Sequence, residues 1–236
     1  MKKTSKKTPY KGVVSAFLLL VVALIASVSA LFAWFSDRSK AVIGGTDFTV
    51  VGANVTLGDI DLTRTLGAHT QTLHYVRDGN AYYLSRNGAA VVENGAKIPL
   101  AIDALAQDEE VALAIKVKAD KELKNYSITL SGLSGDTLAQ EGGINRNTLG
   151  AFRYYNKEES GWSWFLEYET DGSETAPKQI TVETGSFSDA DRDENGYTTV
   201  QIRLRADFSQ AAEYGFTAQS FAGKGLRIAA IAISAE

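Results

Sequence analysis

Val111-Ala112-Leu113-Ala114-Ile115-Lys116-Val117-Lys118 is the stretch on which the fold turns. Val111, Leu113, Ile115 and Val117 fall on every second residue, with Lys116 and Lys118 between them. Period two is the repeat of an extended strand, whose successive side chains point to opposite faces. The repeat returns in Tyr126, Ile128 and Leu130 against Ser127, Thr129 and Ser131. It returns again in Val200, Ile202 and Leu204 against Thr199, Gln201, Arg203 and Arg205. Each run predicts a half-buried strand, apolar inward and polar outward. Leu226 to Ile233 is apolar on both faces and predicts a central or covered strand.

Turn residues punctuate these runs. Arg77-Asp78-Gly79-Asn80 predicts a hairpin between Thr72–Val76 and Ala81–Ser85. Asn87-Gly88, Asn94-Gly95, Asp171-Gly172 and Asn195-Gly196 are further tight-turn candidates, because the second residue adopts positive φ without a steric penalty. Helical periodicity is confined to a turn or two within Ser209 to Tyr214. Many short strands separated by such turns predict an all-β domain over 34–236, an antiparallel two-sheet sandwich of jelly-roll type.

An apolar, uncharged run from Val13 to Phe35 precedes this domain, headed by lysines at 2, 3, 6, 7 and 11. As a helix it would be about 35 Å long, enough to cross a bilayer core. The lysines would remain inside and the C-terminal domain would lie outside. Residues 1–33 therefore read as a signal peptide or a membrane anchor helix. Small residues at signal-peptidase spacing, Val28-Ser29-Ala30 and Leu31-Phe32-Ala33, mark Ala30 and Ala33 as cleavage positions. Lys11-Gly12 before the apolar run opens a second route, a pilin-like subunit that keeps its helix as a stem. Phe17 stands where such stems usually carry Glu.

The chain has 236 residues, 24 basic and 28 acidic, for a net charge of -4. Loss of the five head lysines leaves 19 basic residues against 28 acidic ones, a net charge of -9. An acidic exported domain repels nucleic acid, so none is expected as a partner. There is no cysteine, which excludes disulfides, thiolate metal sites and a Cys nucleophile.

Enzyme signatures are missing. No Gly-x-Ser-x-Gly elbow, phosphate-binding loop or His-Glu-x-x-His occurs, and the expectation is that the protein is not an enzyme and has no catalytic residues. His69 and His74 lie five apart, an odd offset that sends them to opposite faces of a strand. Asp189-x-Asp191-x-Asp193-x-Asn195-Gly196 alternates oxygen ligands in a tight loop and makes calcium the one cofactor candidate. The alternative is a solvated acidic hairpin tip with Asn195-Gly196 making the turn. Trp162, Trp164 and Tyr168 lie in an aromatic-rich segment and read either as core packing or as a platform on which sugar rings stack.

Ala33-Trp34-Phe35-Ser36-Asp37 resembles the ending of signal peptides processed by the SipW-type signal peptidase. Gly45-Thr46-Asp47-Phe48-Thr49-Val50 resembles the first strand of the surface proteins that follow them, the TasA-like and camelysin families of Gram-positive bacteria. The usual Pro-Gly-Asp before a later strand is replaced here by Ala106-Gln107-Asp108-Glu109. The resemblance implies a secreted or cell-surface protein, a structural subunit of fibres or biofilm matrix that self-associates after signal peptidase has freed its N-terminus. Strand addition is the expected route, with a segment from about Leu31 to Val51 pairing with a neighbour's sheet edge. The alternative function is a tethered or secreted glycan-binding adhesion module.

Overall fold

A computed structural model describes residues 47–51, 55–79, 81–100, 102, 105–140 and 143–236. The chain divides into two units, Met1–Arg38 and Ser39–Glu236, and every described residue belongs to the second. The expected N-terminal helix and the cleavage positions Ala30 and Ala33 lie outside the described residues. Among the described residues no helix is long and apolar enough to cross a membrane.

The strands are β1 (Asp47–Val51), β2 (Val55–Leu66), β3 (His69–Asp78), β4 (Ala81–Arg86), β5 (Ala89–Ala90), β6 (Val92–Glu93), β7 (Ala96–Lys97), β8 (Glu110–Ala119) and β9 (Asn125–Ser131). They continue as β10 (Ser134–Gly135), β11 (Thr137–Leu138), β12 (Arg146–Asn147), β13 (Phe152–Asn156), β14 (Gly161–Trp164), β15 (Gln179–Ser186), β16 (Thr198–Ala206), β17 (Leu226–Arg227) and β18 (Ala230–Ala235). Among the described residues a single short α-helix, α1 (Ser209–Glu213), follows β16. The protein is all-β, as its periodicity predicts.

Two sheets dominate. The larger runs β14-β13-β16-β8-β2-β3-β4-β5 with every pairing antiparallel, and the smaller runs β1-β18-β9-β15. Period two puts Val111, Leu113, Ile115 and Val117 of β8 opposite Leu204, Ile202, Val200 and Thr198 of β16, all of them buried. From the smaller sheet, Ile128, Leu130, Val182, Ile231 and Ile233 enter the same hydrophobic cluster. Sharing one core binds the sheets together, since neither can keep its apolar face dry alone.

Two irregularities shape the frame. A register shift in β2 between Leu57 and Ile60 accommodates Gly58, where a Cβ would lie 2.9 Å from the Tyr197 ring. The run Leu226 to Ile233 is not one strand. Leu226–Arg227 pairs with β10, and Ala230–Ala235 pairs with β9. The two halves serve different partners, so the chain must break between them. The second half is central, as expected, between β1 and β9.

The Asn87-Gly88 and Asn94-Gly95 turns have positive φ at both residues, at 54° and 78° and at 51° and 81°, the geometry of a tight hairpin. Arg77 to Gly79 leads from β3 toward β4 as predicted, with Asn80 outside the described residues.

Candidate functional site

At one end of the larger sheet β14, β13 and β16 lie side by side. Residues directly opposed in a ladder share a face. Tyr154 opposes Leu204, a core residue, so Tyr154 faces inward. Arg153, opposed by both Arg205 and Trp164, faces outward, and so does Tyr155, opposed by Trp162. Of the two readings of this segment, core packing is corrected for Trp162 and Trp164 and holds for Tyr168. Strand β14 ends at Trp164, both Trp residues lie on the solvent side and half-buried, and the inward places go to Tyr154 and Phe165.

Arginines hold the outward aromatics. The Arg203 guanidinium lies 4.6 Å from the Tyr155 ring centroid and 5.2 Å from that of Trp162, and Arg203 Nε donates to Glu110 Oε1 at 2.7 Å. Arg153 stacks on Trp164 at 4.5 Å and donates to Asp207 and to the Trp162 carbonyl. Cation–π contact and ion pairing together fix these long side chains in place.

Tyr168 belongs elsewhere. It is buried, its hydroxyl donates to the Asn147 carbonyl at 2.6 Å, and burial followed by the nearby Glu174 charge pushes its ionisation well above the ordinary tyrosine range. Its ring covers Gly150, where a Cβ would lie 2.2 Å from it. The neighbouring Arg146 is held between Tyr214 at 4.0 Å and Tyr168 at 5.3 Å and donates to both oxygens of Glu174 at 3.1 Å. This set anchors the loop after β14. It does not extend the Trp162 and Trp164 surface.

A groove of about 820 Å³ runs between β15, at the edge of the smaller sheet, and β13 and β16 of the larger one. Its lining includes Tyr155, Lys157, Glu183, Thr199, Gln201 and Arg203. Glu183 Oε1 accepts from the Tyr126 hydroxyl at 2.7 Å and from Lys157 Nζ at 2.9 Å. Burial, reinforced by the bond to Glu183, pushes the Tyr126 hydroxyl far above its ordinary pKa. Gly185 makes this contact possible, because a Cβ there would lie 2.5 Å from the Tyr126 hydroxyl. Nothing in the period-two pattern marks Glu183, since a bulge between Thr181 and Glu183 shifts the phase of β15.

The acidic loop is a hairpin tip. Asp193 Oδ1 accepts from the backbone N–H of Tyr197 and of Asn195, each at 2.9 Å, and these bonds, that from Tyr197 foremost, hold its carboxyl below the usual range. Asp189 lies 3.3 Å from Arg192 Nε, while Asp191 turns to the groove. The Asn195 carbonyl accepts from Lys118 Nζ. Among the described residues no group of three His, Asp or Glu side chains comes together as a metal-ligand set. His69 is exposed at the start of β3, and His74 Nδ1 lies 2.6 Å from Asp61 Oδ1 across the β2–β3 ladder, so the two imidazoles do not converge.

No family model, curated protein or solved structure matches this chain.

Proposed function

We propose that the chain is an exported structural protein of the cell surface or extracellular matrix, a fibre subunit that assembles by strand addition. The observation that carries this reading is the place of β1. It lies at the outer edge of the smaller sheet, where Asp47 to Val51 run parallel to Ala230 to Ser234 of β18, the one parallel pairing among the described residues. An edge strand held by a single neighbour can leave without opening the core, and parallel pairing is slightly weaker per residue than antiparallel. The same five-residue register made to a neighbouring chain would preserve the hydrogen bonds and link the subunits.

In this reading the sandwich is of jelly-roll type, supported by a chain that crosses between the sheets from β8 to β9, from β14 to β15 and from β15 to β16. Signal peptidase cuts at Ala30 or Ala33 and frees the segment ahead of β1; until then the membrane holds the head. No catalytic role is part of the proposal.

Removing the processed protein's N-terminal segment through Val51, β1 included, is expected to abolish polymers seen by electron microscopy while leaving the strand signature in circular dichroism. Polymers of unchanged length and number would overturn the proposal. N-terminal mass spectrometry of the protein recovered from cells tests the processing step: a start at Leu31 or Trp34 is expected, and a start at Val13 or Met1 would select the pilin-like stem or the anchored ectodomain.

A further inference from the structure

We propose that the groove between β15 and β16 is a binding site for an uncharged oligosaccharide. Its volume of about 820 Å³ is that of a ligand site of several sugar units rather than of a single small molecule. The charges of its lining cancel. Lys157 and Arg203 balance Glu183 and Asp191, with Lys157 paired to Glu183 at 2.9 Å, so no net field selects an ionic polymer. What remains open to a ligand is a set of polar groups that both donate and accept. The Gln201 and Thr199 side chains are exposed and make no hydrogen bond among the described residues, and Glu183 uses only Oε1, leaving Oε2 as an acceptor. Sugar hydroxyls donate and accept in turn, which is the complement such a lining requires.

The charged groups Arg203 and Glu183 are also held before any ligand arrives. Arg203 is fixed between Tyr155 and Trp162, and Glu183 is fixed by Tyr126 and Lys157. Binding then costs little further side-chain entropy. The Tyr155 ring supplies the apolar surface on which the C–H face of a pyranose rests.

An extended peptide is the competing occupant, because no further strand pairs with the outer edge of β15 among the described residues. That edge is guarded. The bulge between Thr181 and Glu183 breaks its ladder. Glu158 and Lys157 reach across from the β13–β14 turn to hold Thr184 and Glu183. Bulges and charged side chains are devices that keep a strand from adding to an edge. The proposal holds whether or not the chains polymerise, and it concerns an edge other than the one where β1 lies.

The test is isothermal titration of the full chain in mild detergent with three uncharged hexasaccharides, β-1,4-linked glucose, β-1,4-linked N-acetylglucosamine and α-1,4-linked glucose. A heptapeptide copying residues 45–51 is titrated beside them. At least one sugar is expected to bind saturably, one per chain, and Gln201→Ala is expected to weaken it at least tenfold with Tm unchanged. Trp164→Ala, outside the groove, is expected to leave that affinity unaltered. Absence of saturable binding by all three sugars would overturn the proposal. So would binding indifferent to Gln201→Ala, binding lost with Trp164→Ala alone, or displacement of the sugar by the peptide.

Discussion

Arg146→Ala offers the most discriminating test of how the domain is held together. The Arg146 side chain is 1% exposed and that of Glu174 is 7% exposed. The guanidinium donates to both Glu174 oxygens at 3.1 Å and to the Glu169 carbonyl at 2.5 Å, and it lies against Tyr214 and Tyr168. Removing it leaves a buried carboxylate without its counter-charge, the Glu169 carbonyl with only the Gly172 N–H as donor, and two tyrosine rings without their filling. Breaking a buried pair from one side costs about 3–5 kcal/mol. For a domain of this size that is a fall in Tm of about 6–20 °C. The intact pair contributes far less than this, because both ions were desolvated to form it, and Arg146 Nε is buried without a hydrogen bond. The double variant Arg146→Met, Glu174→Leu should therefore recover to within about 2 kcal/mol of the parent. Urea unfolding followed by tryptophan fluorescence reads both. A loss below about 1 kcal/mol for Arg146→Ala, the value of a surface pair, would refute the account of this cluster as a buried anchor.

Gly185→Ala places a methyl group 2.5 Å from the Tyr126 hydroxyl and should cost about 1–3 kcal/mol by overpacking, measured by the same unfolding assay. At Asp207 burial opposes ionisation, yet bonds from Ser209 and Arg153 outweigh it and hold the carboxyl below the ordinary 3.8. The folded protein then binds fewer protons than the unfolded chain, so this stability is present above that value and lost as pH falls through the folded one. Tm should decline on acidification below about pH 4, less steeply in Asp207→Asn. At the alkaline end, burial raises the Tyr82 hydroxyl from 10.0 to about 12 and pushes Tyr126 and Tyr168 higher. Their contribution is complete below the ordinary tyrosine value and is lost as pH rises through the folded ones, so Tm should fall above about pH 10, and a flat Tm to pH 12 would refute it.

The strands that sequence reading finds are those with an unbroken period. β8, β9 and β16 each alternate without a fault, and all three are found in place. β2 and β15 carry bulges that slip the phase in mid-strand, so neither shows a clean repeat although β2 is 12 residues long. The Asn-Gly turns are equally legible, because their backbone geometry is a local matter. The aromatic segment is not. Whether Trp162 faces core or solvent depends on Tyr154 opposing Leu204, a pairing between residues 50 apart in the chain.

By itself, then, the sequence determined the all-β class, the main half-buried strands and the tight turns. These follow from side-chain alternation and from the φ preferences of single residues, both of which act within a few positions. Tertiary structure alone decided which strands are edges, which face of β14 is wet, and that Glu183, Gln201 and Arg203 line one groove. Those outcomes are set by long-range register and by two bulges, and the alternating pattern along one strand carries no record of which neighbour will lie beside it.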